Sequence, residues 1–203
     1  MQRVIAHFSA LRPRVEADVD ERSLWYDFYG DLASRNRELL RAQHVIEKDL
    51  EMDSKFEHAT QFLFQTKLGH TPLKQSGTEH SDGLLSLKSD YLMWDNKSKD
   101  PPGLFHLKDC IPQFDRYMNA ADKRVPIFLV IAPAFTEDSE VEAIRYHAEH
   151  FDRNIVLITA AELKTLAEEW SAPQHKNRET PFPLALLSAS GRYDRKKLGR
   201  LTS

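Results

Sequence analysis

The alternation of apolar and polar positions predicts that the chain begins with helices. Between residues 24 and 67 there is no proline and one glycine, and apolar residues recur at roughly helical spacing. Ser54 followed by Glu57 has the spacing of a helix-capping box. Gly69 is a plausible end of this helix, because helices commonly end at glycine. We therefore predict a second helix from about Ser54 to Gly69.

Two neighbouring strands are predicted after the helices. The segment "GLLSLKS" alternates partly between apolar and polar residues, and the adjoining "DYLMWDNK" has an apolar centre. Residues 104–121 then have a helical pattern, in which Pro112 is expected to cause a break or a kink. The middle of the chain is thus predicted to hold a hairpin followed by a helix.

The last predicted elements alternate between strand and helix. The segment "VPIFLVIAP" is continuously apolar, as in the centre of a covered sheet, and "NIVLIT" is a second buried strand. A helix is predicted between them over 137–151, and another over 159–170 with Thr159 as its N-cap. This order predicts an α/β fold with a mixed central sheet flanked by helices, preceded by a helical N-terminal region.

The composition is that of a globular protein and excludes several classes of function. Of the 203 residues, 41% are hydrophobic and 29% charged, and the net charge of -3 gives no general attraction to nucleic acid. A single cysteine, Cys110, excludes an internal disulfide and a cysteine-based zinc site. No apolar run has the length of a membrane span or a signal-peptide core, so we expect a cytoplasmic protein without membrane contact.

Three polar residues at the ends of the predicted hairpin suggest a metal-binding catalytic site. Asp82 begins the first strand, and Asp95 and Lys97 end the second, on one face because side chains alternate along a strand. Two converging carboxylates repel each other unless a cation lies between them, and oxygen ligands suit Mg²⁺ or Mn²⁺. Such a metal can polarise a phosphodiester, and Lys97 can then hold the attacking water and the developing charge.

Five segments together resemble a known group of nucleases. They are the helix "FEHATQFLFQTKLG", the hairpin "SDGLLSLKSDYLMWDNKS", the helical "QFDRYM", and the later "VPIFLVIAPAF" and "NIVLITAAEL". Together they resemble the PD-(D/E)xK nuclease superfamily and, within it, the cleavage domain of FokI-type restriction endonucleases. The resemblance extends from about Lys55 to Trp170. Ser81 stands where the superfamily name has proline.

The resemblance implies a role for each of several residues and a division of the chain. It implies metal ligands and catalytic groups at Asp82, Asp95, the carbonyl of Asn96, Lys97 and Glu57, with possible accessory roles for Gln113 and Tyr117. Glu57 would be an auxiliary ligand or acid–base partner, and Mg²⁺ the cofactor, with Mn²⁺ as a possible substitute. The segments would be a helical N-terminal region at 1–53, the nuclease core at 54–170, and a linker with a basic C-terminal tail at 171–203.

The resemblance also implies partners. The substrate would be double-stranded DNA, and a second nuclease copy would pair weakly through the helix after Lys97, with Asp115 and Arg116 as possible contacts. No DNA-reading motif is present, so a separate domain or specificity protein is expected. Lysines and arginines form two basic clusters that suggest phosphate contacts or, for the tail, a solvated surface: Lys97, Lys99 and Lys108, then Arg192, Arg195, Lys196, Lys197 and Arg200.

Other interpretations stay open at this point. Arg145 and His150 have the spacing used by HEPN-type ribonucleases, although that fold is all-helical. A zinc site is conceivable among four histidines, namely His80, His106, His147 and His150. A nuclease fold serving as a non-catalytic assembly subunit of a restriction or defence complex is the alternative from another class. Metal-dependent nicking by the purified chain would distinguish it from an endodeoxyribonuclease.

Overall fold

The helical N-terminal region is confirmed, as a series of short helices. The computed structural model describes residues 20–75, 80–172 and 181–197. Its first helices are α1 (Arg22–Asp27), α2 (Tyr29–Ala33), α3 (Arg37–Ala42) and α4 (Glu51–Phe62), and a π-helical turn at Leu63–Lys67 continues α4. Arg35 and His44 have left-handed backbones, with φ of 51° and 54°, and these conformations interrupt the helices on either side of α3.

The predicted capping box at Ser54 is wrong. Helix α4 begins three residues earlier, so Ser54 and Glu57 both lie inside it. The carboxylate of Glu51 accepts hydrogen bonds from the backbone N–H groups of Glu47 and Lys48, each at 3.3 Å. A carboxylate in the first turn of the helix satisfies amides just before it, and this replaces the predicted serine cap.

The mixed central sheet is confirmed, with an additional strand. The strands of the sheet, in spatial order, are β1 (Gly83–Leu87), β2 (Asp90–Asn96), β4 (Ile127–Ala132), β6 (Asn154–Thr159) and β7 (Gly191–Arg192). β1 and β2 form the predicted antiparallel hairpin, and the other neighbours are parallel. β7 was not predicted, because two residues of a polar segment carry no strand periodicity.

The segment after the hairpin differs from its prediction. Leu104–Phe105 form a short strand, β3, paired in parallel with β5 (Ala134–Phe135), and a 3₁₀ turn follows. Helix α5 covers only Ile111–Ala120. Pro112 lies in the first turn of α5, where backbone N–H groups have no partner within the helix. The missing N–H group of proline therefore costs nothing there, and Pro112 starts the helix without kinking it. The predicted helix from residue 104 was therefore too long.

Two hydrophobic cores cover the two faces of the sheet. Leu92 and Trp94 point into the core that contains α1–α4 and helix α7 (Ala160–Ser171). Tyr91 and Met93 point into the core that contains α5 and helix α6 (Glu137–Glu149). The same alternation directs Asp95 to the α5 face and Asn96 to the α4 face at the end of β2.

All three predicted segments of the chain contribute to one core. Tyr29 from the N-terminal helices, Trp94 from the sheet and Phe182 from the C-terminal part are each at most 1% exposed in the same cluster. The Phe182 N–H also donates to the carbonyl of Leu68 at 2.9 Å. The boundaries at 53/54 and 170/171 stay a prediction. Within the ranges above, no helix combines the length and apolar character needed to cross a bilayer.

Candidate active site

A tight approach between the two hairpin strands creates the site. Gly83 lies opposite Trp94, and a Cβ atom at Gly83 would be 1.8 Å from Cζ2 of that indole. Only glycine leaves room for the indole, which also packs on Phe64 with 4.7 Å between ring centroids. Because Gly83 pairs with Trp94, the preceding Asp82 is brought level with Asp95 at the end of β2.

Backbone and side-chain groups of the hairpin hold Asp82. The N–H of Asn96 donates to Oδ2 of Asp82 at 2.6 Å. Burial raises the pKa of Asp82 to about 8, and repulsion from Asp95 and Glu57 adds to the shift. The three acidic groups named in the sequence analysis are thus close enough to influence one another.

Asp95 is almost completely buried. It is 2% exposed, and its Oδ2 lies 2.5 Å from Nζ of Lys97. That contact is a buried ion pair, in which the Lys97 ammonium group is the cation beside the Asp95 carboxylate. Burial raises the pKa of Asp95, although Lys97 and hydrogen bonds from Asp82 act in the opposite direction. A buried carboxylate is stabilised in its charged form by a nearby cation, so a metal ion beside Asp82 and Asp95 would favour the ionised pair.

Lys97 connects the acidic pair to helix α5. Burial is the largest single influence on its ammonium group and lowers the pKa, but the charge and hydrogen bond of Asp95, together with Cys110 and Asp82, outweigh burial, so the pKa is raised and Lys97 stays protonated. Its Nζ donates to Oε1 of Gln113 at 3.5 Å, and Nε2 of Gln113 donates to the hydroxyl of Tyr117 at 2.5 Å. The two accessory residues therefore form a chain that begins at Lys97.

Glu57 lies beside the acidic pair and is not part of a three-carboxylate cluster. Burial raises its pKa, and the charge of Asp95 contributes further. In the described ranges, no group of three or more His, Cys, Asp or Glu side chains is arranged to hold a metal ion. The candidate site is therefore formed by two carboxylates, those of Asp82 and Asp95. The suggested zinc site is not supported either, because no histidine cluster able to hold zinc is present among the described residues.

Hydrogen bonds hold Ser81, which precedes Asp82 and stands where the superfamily name has proline. It is completely buried, and its hydroxyl lies 3.0 Å from the carbonyl of Gly83 and 3.3 Å from Oε1 of Gln75. Its own carbonyl accepts from Nε2 of Gln75 at 2.9 Å and contacts Nδ1 of His80 at 2.7 Å. Hydrogen bonds restrain the backbone before Asp82 where a proline ring would otherwise do so.

The N-terminal helices hold the segment that follows Lys97. Arg35 donates from Nε to Oγ of Ser98 and from Nη2 to the carboxylate of Asp53, both at 2.8 Å. The backbone N–H of Lys99 donates to the carbonyl of Ala33 at 2.9 Å. We call Ala33, Arg35, Asp53, Ser98 and Lys99 the N-terminal clamp. The sequence analysis missed it, because an arginine and a serine 63 positions apart carry no shared pattern.

The suggested pairing residues have different surroundings. Asp115 accepts a hydrogen bond from the hydroxyl of Tyr146 and lies 3.4 Å from Nη1 of Arg153, so it is already bound within the chain. Arg116 is exposed on α5, and no ion pair or hydrogen bond engages it within the described residues. Arg116 is thus the freer of the two for contact with another molecule.

The ribonuclease interpretation is wrong, because the chain contains a central sheet. Arg145 pairs with Glu142 on its own helix, and the ring of His150 stacks on Tyr146 with 4.3 Å between centroids. Both side chains have local structural partners. His150 also lies just after the end of α6, so the two residues do not share a helix as the spacing suggested.

The two basic clusters also differ. Lys99, two residues after Lys97, and Lys108, just before α5, are both exposed. In the C-terminal cluster, Arg192 pairs with Glu162 at 3.2 Å and Arg195 pairs with Glu169. Arg200 lies outside the described residues. Lys99 lies 5.8 Å from the ring centroid of Phe105, and within the described residues neither Lys99 nor Lys108 forms an ion pair.

Comparison with known proteins gives a match in structure alone. No protein-family model and no curated protein matches the sequence. The structure of the restriction endonuclease FokI is similar with a TM-score of 0.52 and 13% identity, over 70% of this chain and 29% of that chain. FokI bound to DNA matches with a TM-score of 0.56 and 13% identity, over 83% and 30% of the two chains. This chain thus spans about three tenths of FokI. The resemblance inferred from the sequence is confirmed, and the chain has the fold of a part of the restriction endonuclease FokI.

Proposed function

We propose that this chain is a metal-dependent endonuclease that hydrolyses phosphodiester bonds in DNA. The observation that carries the proposal is the placement of Asp82, Asp95 and Lys97 at one end of the hairpin, where the buried Asp95 forms an ion pair with Lys97 and the Asn96 N–H holds Asp82. Two adjacent carboxylates and one ammonium are the groups needed to bind a hard cation and an anionic phosphodiester. The fold shared with FokI supports the same activity.

The donor set fits Mg²⁺, with Mn²⁺ as a substitute. Asp82 and Asp95 supply carboxylate oxygens, and the carbonyl of Asn96 is the third candidate ligand. When bound, Mg²⁺ supplies a Lewis acid that stabilises charge on the phosphate and acidifies water. Lys97 orients the attacking water and stabilises the negative charge that develops on the phosphate oxygens, with Gln113 holding its ammonium in place. Glu57 acts beside the pair as an acid–base partner.

DNA would be bound mainly through its phosphates. Lys99 and Lys108 are exposed, and Lys99 follows Lys97 by two residues. Each neutralised phosphate contributes to affinity without reading sequence. The similar structure of FokI bound to DNA supports DNA as the partner. A separate domain or protein would supply sequence recognition in a restriction or phage-defence system, in the cytoplasm.

Cleavage of a supercoiled plasmid tests the proposal. We expect conversion to nicked and linear forms with Mg²⁺ or Mn²⁺ and none with EDTA, because the acidic pair needs a cation to bind phosphate. The purified chain should be assayed alone and with a candidate specificity protein. If the chain binds divalent cations and DNA but cuts under none of these conditions, the non-catalytic assembly subunit becomes the better interpretation.

A second copy of the chain would be needed to cut both strands at once. Arg116 is exposed on α5 and has no ion pair or hydrogen bond with the part of the chain that the structure describes, so we propose it as a contact between copies. We expect Arg116→Asp to slow the conversion of nicked to linear plasmid by about 10-fold while nicking stays near normal, since a weak interface depends on few contacts. The matched control is Lys88→Asp, which reverses an exposed charge at the hairpin turn.

The two activities of the Arg116 variant separate the possible roles. Equal loss of nicking and linearisation would place Arg116 in DNA binding. No change in either activity would show that copies meet elsewhere or act independently.

A further inference from the structure

A buried chain of hydrogen bonds links the end of β2 to helix α4. Nδ2 of Asn96 donates to Oγ1 of Thr60 at 2.6 Å and to the carbonyl of Phe56 at 3.3 Å. Oγ1 of Thr60 donates to the same Phe56 carbonyl at 3.0 Å and contacts the hydroxyl of Tyr29 at 2.8 Å. Thr60 and Tyr29 are completely buried, so water does not compete for these groups.

The available protons determine the direction of each bond in the chain. A threonine hydroxyl has one proton, and here it goes to the Phe56 carbonyl, so Tyr29 must be the donor to Thr60. Burial raises the pKa of Tyr29, which keeps its donor proton at working pH. Thr60 then accepts from both Tyr29 and Asn96. The lone pairs of the Thr60 hydroxyl need donors, so the amide nitrogen of Asn96 faces Thr60. Oδ1 of Asn96 then has no hydrogen bond among the described residues.

The same asparagine also holds a carboxylate of the site. While its side chain bonds to α4, its backbone N–H donates to Oδ2 of Asp82. Helix α4 carries Glu57, one residue after the carbonyl that both Asn96 and Thr60 contact. Asn96 therefore lies between Asp82 on one side and the helix of Glu57 on the other.

We propose that Asn96 and Thr60 are positioning residues, which set Asp82 and Glu57 at a fixed separation across the site. The inference rests on the proposed function, because the separation matters only if Asp82 binds the cation while Glu57 acts beside it as the acid–base partner. Neither positioning residue needs to contact the substrate through its side chain. Their effect is transmitted through the Asn96 backbone N–H and through the Phe56 carbonyl.

The test compares Thr60→Val with Thr60→Ser. Valine has the shape of threonine without the hydroxyl, so the link to Asn96 is lost; serine keeps it. We expect Thr60→Val to weaken Mn²⁺ binding, measured by calorimetry, and to lower kcat for plasmid nicking, each by about 10- to 100-fold, as when partners of metal ligands are removed. KM for DNA should stay unchanged, and Thr60→Ser should behave like the wild type.

A matched control separates positioning from stability. Ser139 is a buried hydroxyl in the other core, which donates to the carbonyl of Phe105 and accepts from the N–H of Leu107, both at 3.0 Å. We expect Ser139→Ala to lower Tm while leaving Mn²⁺ affinity and kcat unchanged. If Thr60→Val does not fold, Asn96→Asp makes the same test, because a carboxylate of equal size would place an acceptor against Thr60 and the Phe56 carbonyl.

The wild type and the variants together distinguish a failure of the proposed function from a failure of the positioning role. A wild type that neither binds Mn²⁺ nor cuts DNA overturns the proposed function and this inference with it. A wild type that does both, beside a Thr60→Val variant with normal Mn²⁺ affinity and kcat, overturns this inference alone. Losses in Thr60→Val and Ser139→Ala that both follow Tm would show that the chain of hydrogen bonds only stabilises the fold.

Discussion

Replacing Asp95 by asparagine should abolish DNA cleavage while the chain stays folded. Asparagine keeps the volume of the buried side chain but removes the negative charge that would hold a cation and Lys97. We expect the nicking rate to fall by at least about 100-fold, the usual scale for losing one group that stabilises a transition state. Asp82→Ala and Lys97→Ala should have effects of similar size. Plasmid nicking, with circular dichroism to check folding, provides the measurement.

The same strand provides the control for Asp95. Asp90 begins β2, at the end remote from the site, and pairs with Arg124 at 2.8 Å. Asp90→Asn removes a carboxylate from the same strand and should leave the nicking rate nearly normal, because that pair lies at the exposed end of the strand. Near-normal nicking by Asp95→Asn would refute the proposed active site.

Without divalent cations, the free energy of unfolding should fall as the pH rises from about 4 to about 8. The pKa of Asp82 is raised to about 8 in the folded chain, so in this window the folded state holds a proton that the unfolded chain has lost. Stability from this group is complete below the unfolded pKa and is lost as pH rises through the folded value. The expected loss is on the order of a few kcal/mol, since one pKa unit corresponds to about 1.4 kcal/mol.

Urea unfolding in EDTA across this pH range gives the measurement. Asp82→Asn should flatten the dependence, because the amide does not titrate. Mg²⁺ should restore stability to the wild type at high pH, since a ligand that binds the folded state alone stabilises it, and Asp82→Asn should lose most of that response. Equal pH dependence in the two proteins would place the titrating groups elsewhere.

The main elements of the sheet could be predicted because their signals are local. Strand β4 is apolar over its whole length, and the β1–β2 hairpin joins strands that are adjacent in the chain. Strands β3 and β7 escaped prediction because two residues show no periodicity, and their pairing depends on distant partners. The breaks at Arg35 and His44 escaped for a related reason, since left-handed backbone at residues other than glycine is imposed by surrounding packing.

The proximity of the three proposed site residues was predictable because all three lie in one hairpin. Asp82, Asp95 and Lys97 come together through a single turn, so their spacing in the sequence was enough to bring them together. Thr60 contacts Asn96 across 36 positions, and a threonine inside an amphipathic helix has no feature that marks such a contact. The grouping of the hairpin side chains could thus be predicted, whereas their contacts with residues distant in the sequence could not.

The N-terminal clamp restricts how this protein could be shortened or recombined with a relative. Ala33, Arg35 and Asp53 hold Ser98 and Lys99, directly downstream of Lys97. A fragment beginning at residue 54 would keep every proposed catalytic side chain and still lose every clamp residue that precedes the sheet. The helices before the sheet and the end of β2 would therefore have to be inherited, or transplanted, as one unit.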